Sequence, residues 1–326
     1  MGGDSSLRGV GGVPPAPCGS RSRAIVAILA SAFGFALMAF FVRLCDDFGA
    51  SISSFQKSFF RNFIALLIAI PAFRASISQP HNPTISQSHN PTIPQSHNPT
   101  ISQSHNSPRP LPLLLLRSIF GSLGIFCNFY AISHINMADA MTLNKTSPFF
   151  AVLFSWLFLR EKANRRQIAC LAIAFIGALL VIKPGFRAFG TFAALSGLLG
   201  GIGAGAAYTC VHELGRLKVN GAFIVLFFSA FSCLASIPFV LWFGYAPMTW
   251  MQLLILIGAG CGAAIGQFGI TAAYRCAAPR EIAAFDYSNI IFTALLGFAF
   301  FSQIPDAASI IGFVAIASAA FVSSRK

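Results

Sequence analysis

The sequence predicts an all-α, polytopic membrane protein with ten transmembrane helices in two inverted five-helix repeats. Hydrophobic residues make up 56% of the 326-residue chain and charged residues only 10%, and the mean hydropathy is +0.72. These values lie outside the range of soluble domains. Apolar runs long enough to cross a hydrocarbon core of about 30 Å also recur along the chain.

Each predicted span is a run of about 20 mostly apolar residues. The first follows Arg21 and Arg23 and superficially resembles a cleavable signal peptide, but its apolar run continues to about Leu44 and favours an uncleaved helix. Short connections with Gly, Pro, Asn or Asp predict a compact antiparallel bundle. The predicted spans cover residues 24–44, 53–73, 111–132, 138–159, 167–184, 191–211, 220–243, 248–270, 281–301 and 306–323.

The chain divides into a tail and two repeats. Residues 1–23 are predicted to be a disordered cytoplasmic tail, residues 24–184 the first repeat and residues 191–323 the second. The loop 75–110 carries the tandem octads SQPHNPTI, SQSHNPTI and PQSHNPTI. Its histidines could capture a metal ion. A sequence rich in Asn-Pro and Ser without apolar periodicity instead favours a disordered low-complexity loop, and no metal site or cofactor is predicted.

The basic charge indicates orientation. The chain has 22 Lys and Arg against 9 Asp and Glu, but no patch concentrates them with aromatics, so nucleic acid is not an expected partner. With the N-terminus inside, inner segments hold fifteen Lys and Arg and outer segments three, Arg43, Lys183 and Arg187. Since cytoplasmic loops are enriched in these residues, both termini are predicted to lie in the cytoplasm of a cell (inner) membrane.

The two halves are similar to each other. An offset of 142 residues places NKTSPFFAVLFSWLFL over DYSNIIFTALLGFAFF without a gap, and an offset of 167 aligns the first spans of the halves. Because each half has five predicted spans, an odd number, the second half would enter the membrane inverted. Inverted repeats are typical of secondary transporters.

These features resemble the drug/metabolite transporter superfamily, in particular its ten-span members with two EamA-type repeats. The stretch MADAMTLNKTSPFFAVLFSWLFLREK carries the resemblance, with Pro148 in the span and Leu159-Arg160-Glu161-Lys162 at its exit. The second copy departs from the pattern, because Gln303 stands where Glu161 does. Spans two to five are weakly similar to bacterial S-adenosylmethionine uptake carriers, which makes that metabolite one expected substrate among several.

Charges inside predicted spans are candidate site residues, since such charges usually face a wet cavity or a partner. Lys145 in the fourth span would bind a carboxylate, and Asp286 in the ninth an ammonium group or a coupled proton. Snorkelling of Lys145 to the interface, or mutual neutralisation of the two, would give them a structural role.

Further polar residues are candidates for the same substrate site. Pro148 is expected to kink the fourth span and free a backbone carbonyl. Arg117 also matches a position where the family often carries arginine, but a structural role is favoured there. The other candidates for substrate contacts are Arg61, Tyr130, Asn144 and Tyr287.

The predicted function is a secondary transporter that moves a small polar metabolite, amino-acid-like or S-adenosylmethionine, by alternating access. Its expected partners are the bilayer, the solute and a coupling proton or ion. The alternative is a non-transporting scaffold or lipid-handling protein, which predicts that neutralising Lys145 and Asp286 leaves function intact. An intramembrane enzyme is disfavoured because HExxH, GxSxG and P-loop motifs are absent and His134 and His212 fall at predicted loop positions.

Overall fold

A computed structural model describes residues 21–49, 52–78, 110–135, 137–185, 192–302 and 304–325. The predicted tail before Arg21, most of the octad loop and Gln303 lie outside the described residues. Within them the fold is helical and contains no strand. The helices are α1 (Arg21–Cys45), α2 (Ser54–Ser78), α3 (Pro110–His134), α4 (Met137–Asn144), α5 (Ser147–Leu159), α6 (Arg165–Ile182), α7 (Phe192–Arg216), α8 (Gly221–Phe243), α9 (Trp250–Cys276), α10 (Pro279–Ile282), α11 (Ser288–Phe301) and α12 (Ala307–Ser324).

The described chain contains nine segments that are long and apolar enough to cross a membrane. The prediction of an all-helical, multi-pass membrane protein is therefore confirmed. The segment predicted as the fourth span, residues 138–159, is not among the nine because it is divided between α4 and α5. The count of ten spans in two inverted repeats thus stays a prediction.

The interruption between α4 and α5 follows from local chemistry. Pro148 lies in the first turn of α5, where its missing N–H is tolerated, and it cannot donate to the carbonyl of Asn144 as a regular helix would require. The Phe149 amide donates to the Thr146 carbonyl, 3.0 Å, one residue beyond the regular acceptor at Lys145. The carbonyl of Lys145 is consequently available to a partner from elsewhere in the chain.

The segment predicted as the ninth span is also irregular. It consists of α10, a 3-10 turn over Ala283–Tyr287, and α11. The turn is buried throughout and contains Asp286 and Tyr287. At the 142-residue offset Asp286 corresponds to Asn144 and Tyr287 to Lys145. Both irregular segments are therefore interrupted at corresponding positions.

The long helices pack in corresponding pairs. The most extensive contacts join α1 with α9 and α3 with α7, and α2 packs on α8 as α6 does on α12. Glycines make the first two crossings close. A Cβ on Gly262 would lie 2.9 Å from the Gly34 carbonyl, and one on Gly200 would lie 3.1 Å from the Gly124 carbonyl. At both crossings the backbones of the two helices are therefore in direct contact, because glycine has no side chain to separate them.

The interrupted segment rests on a glycine stripe of α7. A Cβ on Gly197 would lie 2.9 Å from the Leu143 side chain, one on Gly201 would lie 2.7 Å from the Leu143 carbonyl, and one on Gly205 would lie 2.8 Å from the Ser147 carbonyl. The four-residue spacing of these glycines thus serves tight helix packing. The stripe brings the break between α4 and α5 against α7.

The ends of the helix pairs differ. The C-terminal ends of α7 and α9 are in contact: the rings of Tyr208 and Tyr274 stack at 4.9 Å, and a Cβ on Gly215 would lie 2.6 Å from the Arg275 Cα. The corresponding helices α1 and α3 share no comparable packing in the described part of the chain. One end of the bundle is therefore more tightly closed than the other.

Candidate substrate site

The two interrupted segments place opposite charges side by side. The Lys145 ammonium lies 4.0 Å from a carboxylate oxygen of Asp286, and their side chains are 13% and 8% exposed. The phenol of Tyr287, fully buried, donates to the Lys145 carbonyl at 2.7 Å. The carbonyl that the helix break leaves without its regular donor thus receives one from the other half of the chain.

Lys145 and Asp286 are therefore close enough to neutralise each other. Mutual neutralisation is the structural role that the sequence offered as an alternative to substrate binding. A distance of 4.0 Å is long for a charge-assisted hydrogen bond, which is normally 2.7–2.9 Å. The pair neutralises its charges in the interior without a tight contact. Two polar groups of one solute, an anion and a cation, could exchange with it.

The two arginines predicted inside spans enter the same interior from α2 and α3. Arg117 is 3% exposed; its guanidinium donates to the Gln267 amide oxygen at 3.0 Å and lies 3.5 Å from the ring centroid of Phe228. Arg61 is half-buried and directs one nitrogen to the Met38 sulfur at 3.4 Å. Both guanidinium groups and the Asp286 carboxylate lie within electrostatic range of the Tyr208 phenol.

Two other candidates lie differently. Asn144 is the half-buried last residue of α4, next to Lys145. Tyr130 is 38% exposed, and its ring stacks on His134 with the centroids 4.0 Å apart. The structure thus brings Lys145, Asp286 and Tyr287 together, with Asn144 adjacent in sequence, and places Tyr130 against His134 instead.

A buried polar contact at the closed end was not predicted from the sequence. Glu161, between α5 and α6, is 8% exposed and His212 on α7 is 3% exposed. A Glu161 carboxylate oxygen lies 3.1 Å from His212 Nε2, and Ser155 donates to the other at 2.9 Å. His212 Nδ1 lies 2.8 Å from the Tyr274 carbonyl on α9. We call Glu161, Ser155, His212 and Tyr274 the closing cluster.

The placement of His212 at a loop position was wrong. The apolar run ends near Val211, but α7 continues as a polar helical end to Arg216, and hydropathy cannot detect such an extension. Glu161 did stand out in sequence as part of the exit motif. Its partner 51 residues away gave no local signal.

The charge state of Glu161 follows from these neighbours. Burial raises its pKa, but the hydrogen bond and electrostatic interaction with His212, the hydrogen bond of Ser155 and the charge of Arg280 together outweigh that effect. The net result is a pKa below the ordinary value of 4.5. Glu161 is therefore ionised at neutral pH.

The helical bundle and its nine apolar segments in the described residues define the class as polytopic membrane proteins. The EamA-like transporter family matches residues 22–183. The chain is 35% identical over 221 residues to the pseudopaline exporter CntI of Pseudomonas aeruginosa strain UCBPP-PA14, covering 67% of this chain and 77% of the relative. The chain belongs to the EamA-like transporter family, within the drug/metabolite transporter superfamily.

Relatives with lower sequence identity are named as other transporters or solute carriers. The chain is 27% identical to the riboflavin transporter of Vibrio cholerae, over 59% of this chain and 64% of the relative. It is 26% identical to solute carrier family 35 member G1 of Mus musculus, over 59% of this chain and 56% of the relative. A solved crystal structure matches with a TM-score of 0.73 and 16% identity over 94% of this chain and 97% of that one, which shows a shared fold.

Proposed function

We propose that this protein is a secondary transporter that carries a small polar metabolite across the membrane by alternating access. The observation that carries the proposal is the meeting of Lys145 and Asp286, 4.0 Å apart, at corresponding interruptions of the two halves. Intramembrane charges are costly and mark solute or ion pathways. Interrupted helices that present free backbone groups are typical of transporter binding sites.

The inverted-repeat architecture is part of the same proposal. The break between α4 and α5 would make residues 137–159 a tenth, discontinuous span. The corresponding glycine crossings, Gly34 with Gly262 and Gly124 with Gly200, support a twofold relation between the repeats 24–184 and 191–323. In this arrangement the two halves rock around a central site.

One end of the bundle is more tightly closed than the other, which is expected of one state of an alternating-access cycle. The C-terminal ends of α7 and α9 are joined through His212 and Tyr274, while the corresponding helices α1 and α3 share no comparable packing in the described residues. We infer that the closed end is cytoplasmic, because the basic segments cluster there. The opposite state would separate α7 from α9 and join α1 to α3.

The proposed solute is amino-acid-like. Lys145 would bind its carboxylate, and Asp286 its ammonium group or a coupled proton. The Tyr287 phenol contacts the Lys145 carbonyl, and Asn144 directly precedes Lys145 in the sequence. The relatives are named for different cargoes, pseudopaline and riboflavin, so the substrate is proposed from the site rather than from either name.

The test is uptake into proteoliposomes that contain the purified full chain. Labelled amino acids, dicarboxylates, S-adenosylmethionine and riboflavin are compared against protein-free vesicles. We expect saturable uptake of at least one solute, its loss in Lys145→Gln and Asp286→Asn, and its retention in Lys183→Gln, a control on an exposed lysine that is 48% accessible. A scaffold or lipid-handling protein would show no uptake, or uptake that survives both site substitutions.

A further inference from the structure

The described spans hold an excess of positive charge in their interior. Away from the helix ends, the charged residues of the described spans and of the break between α4 and α5 are Arg61, Arg117, Lys145 and Asp286, three positive and one negative. Lys145 and Asp286 neutralise each other. The two guanidinium charges of Arg61 and Arg117 are left over.

The surroundings of Arg117 hold its guanidinium without neutralising it. The Gln267 amide oxygen and the face of Phe228 are neutral partners. Gly121, one turn along α3, leaves room for the group, since a Cβ there would lie 2.9 Å from Arg117 Nη1. The Nε atom of Arg117 is buried without a hydrogen-bond partner among the described residues. The guanidinium is therefore positioned but keeps a free donor.

Arg61 has a weaker hydrogen-bond acceptor than Arg117. Among the described side chains, its hydrogen-bond acceptor is the Met38 thioether sulfur at 3.4 Å, which is a weak acceptor. Its buried Nε likewise has no hydrogen-bond partner among the described residues. In the part of the chain that the structure describes, neither Arg61 nor Arg117 has a carboxylate within 4.0 Å. A buried cation without an anion is strongly unfavourable.

Both arginines interact electrostatically with one residue of α7. They project from different helices, α2 and α3, yet the Tyr208 phenol on α7 lies within electrostatic range of both and of Asp286. Two unneutralised guanidinium groups near one phenol form a receptor for anionic oxygens, because a guanidinium can bind a carboxylate or phosphate through two parallel hydrogen bonds.

We propose that the transported solute carries two negative charges, which Arg61 and Arg117 neutralise, in addition to the groups that face Lys145 and Asp286. Two carboxylates or one phosphate dianion would supply this charge. The inference rests on the proposed transport function and narrows its substrate class. It also explains why two unneutralised cations persist in an apolar interior: the binding partner is the cargo.

The test measures charge preference by calorimetric titration of the detergent-purified full chain at constant ionic strength. The probes are glutarate with two carboxylates, its monoamide glutaramate with one, and glycerol phosphate against glycerol. We expect glutarate to bind roughly tenfold or more tightly than glutaramate, as hydrogen bonds between charged groups predict. Preference for glycerol phosphate over both carboxylates would assign the charge to a phosphate.

The variants Arg61→Gln and Arg117→Gln should each reduce the glutarate-to-glutaramate preference toward unity. Arg216→Gln, on an exposed side chain that is 39% accessible, should keep it. Because the readout is a ratio within one protein, a general loss of folded material does not imitate the result, and the wild-type ratio stands even if a variant fails to fold.

Equal binding of charged and amidated probes by the wild-type protein, or no binding of any probe at millimolar concentration, would overturn the double-charge proposal. So would a preference that survives both substitutions. Uptake of a neutral or singly charged solute in the vesicle assay would then retain the transporter function while rejecting this substrate class. Absence of any uptake would reject the function itself.

Discussion

Replacing Glu161 by Gln should weaken the closed end of the bundle. The carboxylate receives a hydrogen bond from Ser155 at 2.9 Å and lies 3.1 Å from His212 Nε2. Through His212 it is linked to the Tyr274 carbonyl of α9. The substitution keeps the size of the side chain and removes its charge, so it isolates the electrostatic part of the closing cluster.

The expected loss follows from these two contacts. Hydrogen bonds to a charged group contribute about 1.5–3 kcal/mol each, against about 0.5–1.5 kcal/mol between neutral groups. Exchanging two of the former for two of the latter lowers the free energy of unfolding by about 2 kcal/mol. At an unfolding entropy of about 2.1 cal/mol/K per residue, this corresponds to a fall in Tm of roughly 3 °C for a chain of 326 residues.

The assay is thermal unfolding of the detergent-purified protein at pH 7, with Glu213→Gln as the matched control. Glu213 pairs with Arg216 at 3.0 Å on the same helix end, but this pair is 22% and 39% exposed. Such surface pairs contribute about 0.5 kcal/mol or less. We expect a clear fall in Tm for Glu161→Gln and almost none for the control.

The same difference should depend on pH. Because the pKa of Glu161 is lower in the folded protein than its ordinary value of 4.5, its ionised form contributes stability above that value, and the contribution is lost as pH falls through the folded pKa. The gap in Tm between wild type and Glu161→Gln should therefore shrink below about pH 4.5. Equal Tm values at pH 7 for wild type and Glu161→Gln would refute the reasoning.

Three further substitutions test separate parts of the structure by thermal unfolding. Tyr287→Phe removes the hydrogen bond to the Lys145 carbonyl and should lower the free energy of unfolding by about 1 kcal/mol. Gly177→Ala adds a Cβ that would lie 2.8 Å from the Gly312 carbonyl, so overpacking of α6 against α12 should cost about 1–3 kcal/mol. Asn220→Ala removes the side-chain cap at the start of α8 and should cost about 1 kcal/mol.

Each of these predictions has a control in the chain. Tyr245→Phe changes a tyrosine that is 60% exposed, and Ile176→Ala changes an outward-facing residue of α6 that is 55% exposed; both should alter stability by about 0.5 kcal/mol or less. Asn220→Asp keeps the capping oxygen and should retain wild-type stability. A test substitution that behaves like its control would contradict the assigned contact.

Hydropathy predicted most of the fold because a membrane span is identified by its length and apolarity alone. It could not locate the break at Lys145, since residues 138–159 are apolar enough to read as one helix. The break depends on Pro148 and on the glycines of α7 against which it packs. Hydropathy likewise ended α7 too early, because its last turn is polar.

The candidate site was partly predictable for a similar reason. Charges inside apolar runs identify Lys145, Asp286, Arg61 and Arg117 without any structure. Which of them pair is a tertiary property: Lys145 meets Asp286 across 141 positions of sequence, while the arginines meet only neutral groups. Tyr130 looked equivalent to Tyr287 in sequence, but nothing local indicated that one ring would be exposed and the other buried.

The most direct test of alternating access is a pair of distances measured by electron spin resonance in lipid nanodiscs. One pair of labels, at Arg165 and Arg216, spans the closed end, and another, at Asp47 and His134, spans the opposite end; all four positions are exposed. Labels carried by unnatural amino acids leave the eight native cysteines in place. We expect two populations of distances that change in opposite directions at the two ends when glutarate is added or Glu161 is replaced by Gln. A single unchanging distance at both ends under all conditions would contradict it.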